Sequence, residues 1–391
     1  MPDPSPPQRP AALPTLTGMR FLAALLVFFS HVSAAWMFTD AQFNEGFDKY
    51  AGTLGAIGVS FFFTLSGFVL TWSARDGDRP LLFWRRRLAK IYPTHVLTWT
   101  AGLVLTLLAG QAVTTGEVLP GLFLVNAWVP EYLVIRGTNG AAWSLGVELV
   151  FYLCFPLLLA LVKRIRAEHL WKWAGAVVLG ALLVPLVAET LLPQETMPGL
   201  KYGWWQYWFV YFVPVNRMYE FVLGILLARI VMSGRWIPVN RAVAALTLIP
   251  GYLLTVFVPT SYGLVLPLLV PLGLIVASGA QADIDGRTGL LGGRAMVWLG
   301  EVSFAFYMLH MVVAGPGPAK FGSGHQWGAV EAVSRIGGWF LLTLALAWVL
   351  YRTVELPVMR RWSRPRARRV TAGTAAAPVA DPVPLTGSPA D

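Results

Sequence analysis

Apolar runs close to the length of a bilayer-spanning helix recur along this chain from residue 16 to residue 355. A helix rises about 1.5 Å per residue, so about 20 apolar residues cross a hydrocarbon core. Lipid offers backbone groups no partner, so a spanning segment must be a helix or part of a closed barrel. Runs of this length select helices. Composition agrees, with 56% hydrophobic and only 13% charged residues, where a soluble domain carries about a quarter charged residues. Trp36, Trp72, Trp99, Trp143, Trp208 and Trp298 fall near the ends of apolar runs, as an interfacial belt requires. The chain reads as an all-α, polytopic, multi-pass protein of the cell membrane.

The runs predict spans at 16–37, 54–73, 92–110, 142–162, 173–191, 208–232, 240–258, 262–279, 295–314 and 336–354, a bundle of about ten helices. "VLPGLFLVNAWVP" is short and bounded by prolines, and suits a re-entrant or interfacial segment. Loop charge sets the direction. "RDGDRPLLFWRRRLAK", "KRIRAEHLWK", "SGRWIPVNR" and "RRWSRPRARR" are basic and belong inside, which puts both termini in the cytoplasm. An eleventh full span would move "KRIRAEHLWK" outside, against that rule. The same placement accounts for the net charge of +10 without a nucleic-acid partner. Residues 1–13 and 361–391 are proline-rich or low-complexity and read as a disordered lead and a basic, then disordered, tail around a membrane domain at 14–360. No cleavable signal peptide is expected. A single cysteine, Cys154, excludes an intramolecular disulfide and a multi-cysteine metal site.

Several polar residues lie where lipid or a bundle core should be. Arg20 and His31 are eleven positions apart, close to three turns, so they share a helix face about 16 Å apart along the axis. Arg20 reads as a snorkelling residue or a functional one; His31, deeper, reads as an interhelical hydrogen bond or a catalytic group. Glu148, two turns into its span, needs a cationic partner or a proton, and by depth His31 is the candidate. Ser303, Tyr307 and His310 are spaced by four and three, one polar stripe. Arg217 and Glu220 are three apart and can pair with each other or with a ligand. Gly58 and Gly67 suggest close helix packing. Arg85, Arg86, Arg87 and Lys90 form a cytoplasmic basic cluster. It serves as a topology signal, or holds the phosphates of a cytosolic cofactor, for which arginine forks are suited.

In this order, Arg20 with His31, "GVSFFFTLSGFVL", "RRRLAKIYP", "WSLGVELVFYLCFP", "RMYEFVLGILLA", "LGEVSFAFYMLH" and "VELP" resemble the acyltransferase-3 family of integral membrane proteins, over about residues 13 to 360. The resemblance implies a ten-helix acyltransferase. Its donor would be acetyl-CoA or another acyl-CoA, its acceptor a hydroxyl of a carbohydrate, cell-envelope glycan or antibiotic-type small molecule. It implies His31 as the catalytic histidine and Arg20 as its accompanying arginine, with Glu148, Tyr307 and His310 in the core site and Arg87 as the first member of an arginine pair; with the basic cluster, Arg20, Arg86, Arg87 and Lys90 are the cofactor-binding candidates. Lys90 stands where the family's arginine pair has its second member. No metal is expected. The chain would transfer directly or through a separate extracytoplasmic partner. His31, polarised by Glu148 or another carboxylate, would be the general base, or His31 or a nearby hydroxyl such as Tyr307 would carry the acyl group. A different class, a proton-coupled transporter or exporter, uses the same intramembrane Arg, Glu and His residues; no internal repeat supports it.

Overall fold

The computed structural model of the chain describes residues 10, 12–75, 77–196, 203–315 and 326–362. Most of the expected lead and tail lie outside these residues. The elements are helices, in order α1 (Pro14–Ser33), α2 (Ala41–Ala51), α3 (Leu54–Ser73), α4 (Pro80–Leu108), α5 (Thr115–Leu122), α6 (Tyr132–Arg136), α7 (Ala142–Lys163), α8 (Leu170–Ala181) and α9 (Leu183–Leu191). There follow α10 (Trp204–Tyr211), α11 (Met218–Met232), α12 (Arg241–Leu246), α13 (Leu248–Phe257), α14 (Thr260–Gly263), α15 (Leu266–Ile284), α16 (Arg294–Ala314), α17 (Ala329–Leu350) and α18 (Leu356–Trp362).

Among the described residues, eight helices or helix runs are long and apolar enough to cross a bilayer. The pair α10 and α11, bent by 55° around Val213 and Pro214, makes nine if it is counted as one broken span. The stretch Arg241–Phe257 is apolar but shorter than a full span. The protein is thus an all-α, multi-pass membrane protein. The proline-bounded segment after α4 is not a span: it folds as α5, a single 3-10 turn at Asn126–Trp128, and α6.

The expected straight span at 208–232 is two pieces because Pro214 excludes Val213 from helical geometry and cannot donate its own backbone bond. The arginine-rich "RRRLAK", expected as the approach to the third span, is helical throughout. Pro80 starts α4 at its first turn, where a missing N–H costs nothing, and the cluster occupies the next turns.

Helix α3 is the centre of the bundle, crossed by α1, α11 and α15 and buried almost all round. Its approach to α11 is reciprocal. A Cβ at Gly67 would strike the Phe221 carbonyl, and one at Gly224 would strike the Thr64 carbonyl. Gly58 likewise lets α3 meet the Ala23 carbonyl of α1. Such contacts replace the hydrophobic drive that lipid cannot provide between helices.

The α10–α11 bend is held by the Arg217–Glu220 pair. The guanidinium donates to both carboxylate oxygens at 2.7 and 2.9 Å, to the Tyr211 carbonyl at 2.9 Å, and to Ser60 Oγ on α3 at 3.0 Å. It also lies 4.9 Å from the ring centres of Phe63 and Tyr211. Both side chains are buried and satisfied by the protein, so the pair is a structural pin.

Candidate active site

Helix α16 runs beside α1 and carries the expected stripe. Ser303 bonds its own backbone at Gly300, and the other two members face α1 and α7. The Tyr307 hydroxyl lies 2.7 Å from Ser144 Oγ on α7. His310 Nδ1 lies 2.5 Å from the Tyr307 carbonyl, and Trp339 Nε1 donates to the His310 carbonyl at 2.8 Å. His310 is buried and His31 half-buried.

The two imidazoles meet. His310 Nε2 is 3.3 Å from His31 Nδ1, and His31 Nδ1 is also 2.9 Å from the Val27 carbonyl. Carbonyl oxygens only accept, so Nδ1 carries the hydrogen on both neutral rings. The lone pair of His310 Nε2 then faces the His31 Nδ1–H, and the lone pair of His31 sits on its Nε2. A ring held in that tautomer is arranged to take a proton at Nε2.

A cavity of about 850 Å³ opens between α1, α3, α4, α7 and α16. Arg20, Arg87 and Lys90 line one end, Ser144 and Tyr307 the other, with Glu148 between them. Arg87 lies 5.6 Å from the Phe83 ring centre and 6.0 Å from that of Tyr152, and its buried Nε has no hydrogen-bond partner among the described residues. An unsatisfied buried guanidinium nitrogen beside two other cations is suited to an anionic group.

The structure thus gathers Arg20, Arg87, Lys90, Glu148 and Tyr307 around one space. His31 and His310 do not line it; they stand behind Tyr307. Arg86 is not in the cavity wall and pairs with Asp78 at 3.3 Å.

The expected Glu148–His31 pairing is corrected. Glu148 Oε1 accepts from Ser66 Oγ at 3.2 Å and from the Tyr152 hydroxyl at 2.5 Å. The reason is register. Ser144 is at the Tyr307 level, and Glu148 is one turn, about 6 Å, further toward the basic end. The group that meets His31 is His310.

Ser144 and Tyr152 were not singled out from the sequence, although Ser144, Glu148 and Tyr152 are spaced by four and form one face of α7. Glu355 was also missed. It is buried on the π-helical turn Tyr351–Glu355, within electrostatic reach of Lys90 and Arg20. A single π turn inside a helix run often marks a functional position, and nothing in "VELP" predicts one.

The known proteins this chain resembles fit the same frame. A family model of an acyltransferase domain, that of the acyltransferase-3 family, matches residues 13–352. The chain belongs to the acyltransferase-3 family. Acyltransferase MdmB of Streptomyces mycarofaciens is 39% identical over 389 residues, 97% of this chain and 98% of the relative. Exopolysaccharide production protein ExoZ of Rhizobium meliloti is 29% identical over 338 residues, 83% of this chain and 94% of the relative. Peptidoglycan O-acetyltransferase OatA of Listeria monocytogenes is 22% identical over 380 residues, 89% of this chain and 56% of the relative. As a member of this family the protein is a membrane enzyme that transfers acyl groups, and the transporter alternative is set aside.

Proposed function

We propose that this acyltransferase moves an acyl group, with acetyl the simplest case, from acyl-CoA to a hydroxyl of a carbohydrate, glycan or small-molecule acceptor. The observation that carries the reading is the position of Tyr307. It borders the basic cavity on one side and the His31–His310 pair on the other.

In this reading Arg20, Arg87 and Lys90 hold the phosphates of the donor, and the thioester reaches toward Ser144 and Tyr307. The acceptor hydroxyl gives its proton to His31 Nε2 as its oxygen bonds the acyl carbon. The carbon–sulfur bond then breaks, and His31 returns the proton to the leaving thiolate. His310 Nε2 accepts the Nδ1–H of the imidazolium, the duty a carboxylate performs in other base–orienter pairs. Ser144 Oγ donates to the Ala141 carbonyl at 3.0 Å and shares a hydrogen bond with the Tyr307 hydroxyl at 2.7 Å, so in this reading Tyr307 turns its hydrogen from Ser144 to the developing oxyanion. Glu148 acts at the donor end, where it balances the cationic cluster and holds Tyr152.

The test uses the full chain in lipid nanodiscs, acetyl-CoA labelled in the acetyl group, and a mixture of methyl glycosides and other hydroxylic acceptors. The native protein moves label to an acceptor, whereas His31→Ala binds acetyl-CoA and moves none. Unchanged transfer by His31→Ala sinks the base assignment. Failure of the native protein to bind or consume acetyl-CoA sinks the donor.

A further inference from the structure

The cavity changes character along its length. One end holds Arg20, Arg87 and Lys90; the other carries Ser144 and Tyr307 among Val59, Phe62, Phe63 and Leu145. Helix α3 runs along it. Phe62, Ser66 and Val69 are spaced by four and three, so they form one stripe, and all three line the cavity. Exposure falls along that stripe. Val69 is 38% exposed, Ser66 and Phe62 are half-buried, and Val59, a turn further on, is only 3% exposed. The cavity therefore opens near Val69 and closes at Phe62, seven positions or about 10 Å away along the axis.

Two neighbouring phenylalanines play different parts at the closed end. Phe63 is buried, with the Arg217 guanidinium 4.9 Å from its ring centre and the Phe151 ring at 5.1 Å. It belongs to the frame around the Arg217–Glu220 pin. Phe62 meets the Tyr307 ring edge to face, with centroids 5.8 Å apart. It also packs against the apolar cluster of α1 and α16 that contains Phe28, Phe306 and Leu309. The Phe62 ring thus stands between the cavity and hydrocarbon side chains.

An acyl group delivered to this end has two kinds of neighbour. Its carbonyl oxygen has the Tyr307 hydroxyl, and the carbons behind the carbonyl have Val59, Phe62 and Leu145. With Phe62 and Tyr307 ring to ring, a short acyl group fits and a longer chain meets the Phe62 ring. Apolar pockets read length in this way, one methylene being worth about 10–200-fold. Removing the ring would leave a space walled by apolar side chains, which stays dry and accepts an apolar guest.

We propose that Phe62 sets the length of the acyl group this enzyme accepts, by closing the apolar end of the cavity behind the thioester. Short acyl groups are admitted and a hexanoyl chain is turned away. The assignment rests on the transferase reading and adds the acyl class of the donor and the residue that selects it.

The test needs no acceptor. The full chain in lipid nanodiscs is titrated calorimetrically with acetyl-, butyryl- and hexanoyl-CoA, with empty nanodiscs subtracted. The quantity read is the ratio of the Kd for hexanoyl-CoA to that for acetyl-CoA, which does not depend on how much of a variant is folded. The native protein should bind hexanoyl-CoA at least about tenfold more weakly than acetyl-CoA, and Phe62→Ala should remove that difference. Phe62→Leu, which keeps more of the packing, should reduce it, with butyryl-CoA recovering first. Equal native affinity for the acetyl and hexanoyl thioesters overturns the proposal, as does a ratio unmoved by both Phe62 variants. So does an equal change on Val69→Ala, at the open end of the same cavity. A native protein that binds none of these thioesters overturns the transferase reading instead, and this one with it.

Discussion

His310 Nε2 stands 3.3 Å from His31 Nδ1, and each ring gives its own Nδ1–H to a backbone carbonyl within its helix. The pair is fixed by main-chain geometry on α1 and α16, so neither ring needs a carboxylate to set its tautomer. His31→Ala should reduce kcat by about 10²–10⁴, the usual worth of a positioned general base, with acetyl-CoA binding retained. His310→Phe should also cost kcat, by about a hundredfold, and leave the KM for acetyl-CoA in place. Steady-state kinetics with labelled acetyl-CoA checks both.

Glu148 separates the two ends of the site. Because its oxygen is taken by Ser66 and Tyr152 rather than by His31, Glu148→Gln should act on the donor. The KM for acetyl-CoA is expected to change about three- to tenfold, in line with one or two altered charged hydrogen bonds. A loss confined to kcat would return Glu148 to the base.

Donor binding should weaken with salt. Arg87→Ala and Lys90→Ala should each lower acetyl-CoA affinity about tenfold at low ionic strength, and by less once salt screens the cluster. Arg86, paired with Asp78 outside the cavity wall, is the comparison: Arg86→Ala should leave affinity within about twofold, the effect of a screened surface charge. Titration calorimetry over a salt series reads all three.

The Arg217–Glu220 pin is the structural counterpart. Arg217→Ala leaves a buried carboxylate unpaired and should cost about 3–5 kcal/mol, read as a fall in the unfolding midpoint in detergent. Arg217→Met combined with Glu220→Leu removes both charges and should recover much of that loss.

The α3–α11 crossing predicts a contrast between glycines. Gly67→Ala and Gly224→Ala drive a methyl into a facing carbonyl and should destabilise by about 1–3 kcal/mol each, as overpacking does. Gly46, in α2 with open space around its would-be Cβ, should gain about 0.5–1 kcal/mol as Ala. Thermal unfolding of the three variants ranks them.

Much of the architecture was legible because apolar length is a coarse and robust signal. The break at Pro214 was visible in the sequence but overridden by the apolar run around it. The π turn ending at Glu355 was not visible, since no residue type encodes it. Within the site, Tyr307 and His310 were legible from spacing on one helix. The Glu148 partner was not, because depth compared across helices depends on tilt and register, and one turn of error exchanges Tyr152 for His31. The Ser144–Glu148–Tyr152 face carried the correction in its own period of four.

The position of the His31–His310 pair has an electrical consequence. The two rings sit on α1 and α16, two helices long and apolar enough to cross a bilayer. A proton moving between acceptor oxygen, imidazole and thiolate therefore moves through part of the membrane field. A potential of 100 mV is worth about 2.3 kcal/mol for a charge carried across the whole bilayer, so turnover should respond to voltage by the fraction of that path the proton covers.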